Sequence, residues 1–126
     1  MIIRSHKYRR LNASLDASIA LDKPADTVGF ATGAGGAVTQ ATNRTTGVTL
    51  NTPSGTITTS SASLAAEATA DFVVTNSRVA IGDVVVLSIQ SGSNGGGTLV
   101  DVATVAAGSF TIRVHNGNVA AGTAET

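Results

Sequence analysis

From residue 36 onward, apolar positions fall in short runs separated by Gly, Asn, Ser and Pro, the pattern of β-strands joined by turns. The runs predict strands at residues 37–42, 47–50, 55–59, 70–76, 83–90, 98–105 and 109–116. In SFTIRVHN the period is two, with Phe110, Ile112 and Val114 on one face and Thr111, Arg113 and His115 on the other. Such a strand buries one face and wets the other. DVVVLSIQ, residues 83–90, begins instead as a continuous apolar run, which predicts a central strand. Val85, Leu87 and Ile89 would point inward, with Val84 and Val86 also covered. Together with Phe72, these residues and the inward face of 109–116 form the expected core.

The intervening segments have turn chemistry. SGSNGGG at 91–97 combines glycines with Asn94, residues that enter positive φ at low cost, and predicts a flexible hairpin loop. AAGS at 106–109 predicts a tighter link of the same kind. SASLAAEATA at 61–70 has good helix propensity because Ala, Leu and Glu dominate it, but it is short, and a loop over the end of the sheet serves as well. Seven short strands with turn signals every eight to twelve residues or so predict an all-β domain, an antiparallel sandwich or jelly-roll-like fold, over residues 27–126. The sequence closes on NVAAGTAET with no further strong apolar run, so either a last strand is absent or an edge is left for a neighbouring chain.

Residues 1–26 read differently, as a basic N-terminal arm. Arg4, Lys7, Arg9 and Arg10 are four of the eight basic residues, and no acid precedes Asp16. Residues 11–126 therefore carry four basic against eight acidic residues, a formal net of −4. Leu11, Leu15 and Ile19 are spaced by four, which would place them on one face of a short helix ahead of Lys23 and Pro24. An extended arm that orders only on a partner is the other reading. With Tyr8 available to stack, RSHKYRR also resembles a nucleic-acid tail. Since the rest of the domain is net negative, a charged arm seated on an acidic protein surface is the favoured reading, with Arg4, Lys7, Tyr8, Arg9 and Arg10 as its contacts.

Composition narrows the chemistry. Apolar residues make up 42% of the 126 positions but aromatic ones only 3%, so the core rests on Val, Ile, Leu and Ala with Phe30, Phe72 and Phe110 as its few large members. The absence of cysteine excludes disulfides, thiolate zinc sites and a cysteine nucleophile. No apolar run approaches the roughly 18 residues of a membrane span. Ile2 and Ile3 are followed at once by charge, which leaves no signal-peptide h-region and points to synthesis in the cytosol.

Candidate catalytic groups are scattered. GAGGAVTQ lacks both the helix of a dinucleotide fingerprint and the lysine of a P-loop, so Gly33, Gly35 and Gly36 predict a backbone bend. His115 lies on the polar face of a strand, and His6 belongs to the arm. Acids stand singly at Glu67, Asp71, Asp83 and Asp101, with no calcium-loop or zinc-helix spacing. A non-enzymatic domain with no metal, no cofactor and no small-molecule substrate is expected.

The segment GAGGAVTQATNRTTGVTLNTPSGTITTSSASLAAEATADFVVTNSRV resembles a family of small structural proteins of tailed bacteriophages. The shared pattern is GxGGxVTQxTxxxTGVTLNxxxGxIT at 33–58, followed by an Ala-rich piece at 63–70. After these come an F-x-V-x-N strand at 72–76, a Val-rich strand at 83–88 and a strand resembling GSFxIxxxN at 108–116. The likeness covers residues 27–118. It implies a virion protein, first of all a capsid decoration or cement protein on the outer surface of the head. Such a protein stabilises contacts between major capsid protein subunits, as a homotrimer, and is made in the host cytoplasm. A tail or head fibre component contacting the host surface is the alternative. Family members often continue with one more apolar strand, from which this sequence departs.

Overall fold

Alternating burial is the organising feature of the computed structural model, which describes residues 35–92 and 97–119. Its six strands are β1 (Gly35–Thr39), β2 (Val48–Thr49), β3 (Ser54–Thr58), β4 (Thr69–Thr75), β5 (Thr98–Ala106) and β6 (Ser109–Asn116). No helix occurs among the described residues, which are all-β: residues 61–68 form a loop and Thr69 and Ala70 begin β4. Among the described residues no helix is long and apolar enough to cross a membrane. The arm with Arg4, Lys7, Tyr8, Arg9 and Arg10 lies outside the described residues.

Four strands form one sheet in the order β2-β4-β6-β5, and β1 pairs with β3 in a second. β4 and β6 are antiparallel, with Phe72 opposite Ile112 and Val74 opposite Phe110. Their inward side chains, Ala70, Phe72, Val74, Phe110, Ile112 and Val114, are buried, and Val48 and Leu64 complete the core. Period-two alternation thus gives β4 and β6 one apolar face each. β5 joins β6 through a tight turn at Ala107 and Gly108, where Gly108 adopts φ +78°. That turn is tied to the chain leaving β4, since the Asn76 amide donates to the Gly108 carbonyl and the Gly108 amide to the Val79 carbonyl, both at 2.8 Å.

The first four strands alternate between the sheets. β1 and β3 pair in parallel, as do β2 and β4, so the expected antiparallel arrangement holds only for β4-β6-β5. Parallel pairing follows from the route: the chain leaves one sheet, contributes β2 to the other, and returns in its original direction. Val38 of β1 and Ile57 of β3 are partly buried against the core of the larger sheet.

Residues 83–90 depart most from expectation. They form no strand and join no sheet. Val84 and Val86 are 87% and 86% exposed, and Ile89 is exposed too, whereas Val85 and Leu87 are partly buried against the core. The turn before them explains the path. Ala80 donates its amide to Asp83 Oδ2 at 2.9 Å, and Gly82 at φ +92° redirects the chain. The segment then runs over the core, where Val85 and Leu87 gain cover without a hydrogen-bonded neighbour among the described residues.

Candidate functional site

The most specific piece of sequence, VTQATNRTTGVTLN, folds into a clamp of buried polar groups. Gln40 is buried just beyond β1, and its Nε2 donates to the carbonyls of Arg44 at 3.2 Å and Thr46 at 2.9 Å. Its Oε1 accepts from the Ser60 amide at 3.0 Å, so one side chain ties the loop after β1 to the chain leaving β3. Arg44, also buried, sends Nε to the Ala62 carbonyl at 2.6 Å. Asn43 Oδ1 accepts from the Thr45 amide and from the hydroxyls of Thr45 and Thr46. An unpaired polar group in such a place would cost about 1–3 kcal/mol, so these bonds hold the loops in one arrangement.

Two further amides act in the same way at strand ends. Asn76 Nδ2 donates to the Thr52 carbonyl at 2.9 Å, while its Oδ1 accepts from the Arg78 amide at 2.9 Å. Asn116 is fully buried, donating to the Leu64 carbonyl at 2.9 Å and accepting from the Asn118 amide at 3.1 Å. The Glu67 amide in turn donates to the Asn116 carbonyl at 2.8 Å, and Glu67 takes a left-handed φ of 59°. This anchoring turns a stretch with helix propensity into a loop. Sequence reasoning did not single out Gln40, Arg44, Asn76 or Asn116. The available signal was an amide at the end of an apolar run, where strand pairing stops and a side chain must replace it.

The glycine cluster has a different role from the bend expected of it. Gly33 lies outside the described residues, but Gly35 and Gly36 stand within β1 and neither has a positive φ. A Cβ on Gly36 would lie 2.8 Å from Leu50 Cδ1, and one on its pairing partner Gly55 would lie 2.8 Å from Leu50 Cδ2 and 2.6 Å from the Gly36 carbonyl oxygen. The pair therefore forms a bare shelf on which Leu50 rests.

The outer face of the larger sheet carries the described charges that pair. Arg113 donates to both carboxylate oxygens of Asp71, its cross-strand neighbour, at 2.9 and 2.7 Å. Asp101 lies opposite Arg113 on the other side. The hydrogen bond from Arg113 lowers the Asp71 pKa, while the same bond and the nearby Asp71 charge raise that of Arg113. This acid–arginine–acid row is exposed. His115 makes a 3.1 Å contact from Nδ1 to Thr69 Oγ1. No group of three or more His, Cys, Asp or Glu side chains converges among the described residues.

A cleft of about 450 Å³ lies between residues 55–61 and residues 86–92. Its floor is the core face itself, with Phe72, Val100, Ile112 and Val114. The volume suits a small ligand. Its single charged lining residue, Arg44, is already engaged with Ala62. Thr98 Oγ1, also at this border, is buried with no hydrogen-bond partner.

Of the core residues expected from sequence, Phe72, Phe110, Ile112 and Val114 are buried, Val85 and Leu87 are partly buried, and Ile89 is exposed. Comparisons with protein-family models, with curated proteins and with solved structures each find no match.

Proposed function

We propose that this chain is a bacteriophage capsid decoration protein, which binds the outer surface of the head and stabilises contacts between major capsid protein subunits. The observation that carries the reading is the likeness of residues 33–58 to phage structural proteins. The polar clamp around Gln40 and Arg44 supports it, because it devotes the residues of that stretch to holding loops in place, as a binding scaffold requires. In this reading the two sheets are the layers of a sandwich, and the arm with Arg4, Lys7, Tyr8, Arg9 and Arg10 seats on an acidic capsid surface, folding on contact. Its mechanism is binding: buried area, repeated over many copies, opposes the outward pressure of packaged DNA.

One observation favours the fibre alternative. The path from β1 to β4 makes a parallel coil between two sheets, and stacked coils of this kind build elongated shafts.

Copy number and position in purified virions, by quantitative gel and immunogold labelling, test the proposal. Many copies over the head are expected, and a few copies confined to the tail would overturn it. Removal of residues 2–10 is expected to abolish binding to expanded capsids while the β domain stays folded.

A further inference from the structure

Asn116 is followed by Gly117, and an asparagine deamidates most readily before glycine, which has no side chain to shield its own amide nitrogen. The reaction is intramolecular. The Gly117 nitrogen, once deprotonated, attacks Asn116 Cγ; the Cγ–Nδ2 bond breaks, ammonia leaves, and water opens the resulting cyclic imide at either carbonyl. Water is consumed, ammonia is released, and residue 116 becomes aspartate or its β-linked isomer.

Every group that must move for this reaction is held. The Asn116 side chain is fully buried, with Nδ2 donating to the Leu64 carbonyl at 2.9 Å. Its Oδ1 accepts from the Asn118 amide at 3.1 Å and from Asn118 Nδ2 at 3.0 Å. The attacking nitrogen is engaged as well, since the Gly117 amide donates to the Gly97 carbonyl at 2.7 Å and must lose that proton to react. On the backbone, the Asn116 amide donates to the Ala68 carbonyl at 3.0 Å, and the Asn116 carbonyl accepts from the Glu67 amide at 2.8 Å. The carboxamide therefore reaches the Gly117 nitrogen only when the end of β6 comes away from the loop at 64–68 and from the start of β5.

We propose that Asn116 is a latent modification site, closed in the native fold and open in the unfolded chain, whose deamidation makes unfolding irreversible. The second half follows from the product. Aspartate at 116 has no donor for the Leu64 carbonyl and sets a negative charge against that oxygen at a position with no exposure, where burying a charge is costly. The β-linked isomer adds a backbone carbon where Ala68 and Glu67 grip the end of β6, and so misaligns both bonds. A chain that stays unfolded thus loses the ability to refold at a rate set by its own chemistry. This holds whether or not the protein decorates a capsid.

The test incubates the full chain at one mildly alkaline pH and temperature, native and in guanidinium chloride, and follows deamidation by peptide mass. Trypsin cuts after Arg78 and Arg113, so Asn116 falls in peptide 114–126 and Asn94, the other asparagine before a glycine, falls in 79–113. In denaturant the two should react at similar rates, Asn94 serving as the calibration. In the native protein Asn116 should react at least about a hundredfold more slowly than in denaturant, because the reaction waits for the strand end to open. After denaturant is removed, the refolded fraction separated by size exclusion should hold residue 116 as asparagine, with the reacted form left in the unfolded fraction. Asn116→Asp should unfold at lower denaturant than Asn116→Ala, which loses the same side-chain bonds without adding a charge. Smaller protection in the native protein, or an Asn116 that stays intact in denaturant while Asn94 reacts, would overturn the site. Reacted chains that refold as fully as unreacted ones, or an Asn116→Asp variant as stable as Asn116→Ala, would overturn its consequence.

Discussion

Strand β6 and residues 83–90 are of equal length and both read from sequence as strong strands, yet one lies between two neighbours in the sheet and the other pairs with none of the described strands. In β6 the apolar residues occupy one face, and β4 and β5 supply hydrogen-bond partners on both edges. In 83–90 the apolar residues occupy both faces, and Val84, Val86 and Ile89 face water. Apolar content therefore measures how much a segment gains from being covered, but it does not say that the same chain provides the cover.

The largest expected effect sharpens this contrast. Phe72→Ala, in β4 opposite Ile112 of β6, should cost about 3–5 kcal/mol in urea unfolding, as a large core side chain leaves a cavity. Val86→Ala, measured on dilute monomer, should stay within about 0.5 kcal/mol as an exposed substitution. Equal losses at the two sites would break the comparison. Asn116→Ala should cost about 2–3 kcal/mol, because it removes a fully buried amide that bonds the Leu64 carbonyl and the Asn118 amide. Gly55→Ala comes next, at about 1–3 kcal/mol, since the added methyl meets a backbone oxygen that cannot swing aside. Thr98→Val should raise stability by about 1 kcal/mol by removing a hydroxyl buried without a partner, which a thermal melt would register.

The smallest effect is the pH dependence from Asp71. Its carboxyl is held below the ordinary 3.8 by the hydrogen bond from Arg113, so folding gains from the ionised form above that value. The gain disappears as pH falls through the lowered pKa, when both folded and unfolded states bind the proton. Asp71→Asn should therefore be slightly less stable than the parent at pH 7, and the gap should close in strong acid. Both side chains are largely solvated, which keeps this difference small.

Much of the larger sheet was legible because β4 and β6 show clean alternation, which β5 keeps only on either side of a register shift between Val102 and Thr104. Phe110, Ile112 and Val114 reveal their face through spacing alone, and the AAGS link shows where the chain reverses. Other features depend on relations between distant residues. Gly36 and Gly55 read as turn residues one at a time, and only their pairing beneath Leu50 shows why a side chain is excluded. Gln40 and Asn116 read as polar loop residues because their partners, Ser60 and Leu64, are far along the chain. Parallel pairing was missed for the same reason, since short strand runs say nothing of the route between them. The basic arm expected from charge lies outside the described residues, and the exposed positions of Val84 and Val86 were hidden by the assumption that apolar means buried.

The alternation of β1 to β4 between two sheets has a kinetic consequence. β5 and β6 are the one pair of described strands joined by a two-residue turn, and every other pairing spans an intervening strand or a long connection. Closing those wide loops must precede most of the stabilising contacts, which places the chain among slow folders, on the order of milliseconds to seconds. The β5–β6 hairpin is the natural first structure. Until β4 docks on it, Phe72 and Val74 are uncovered together with the valines of 83–90, so crowded refolding should favour aggregation over yield.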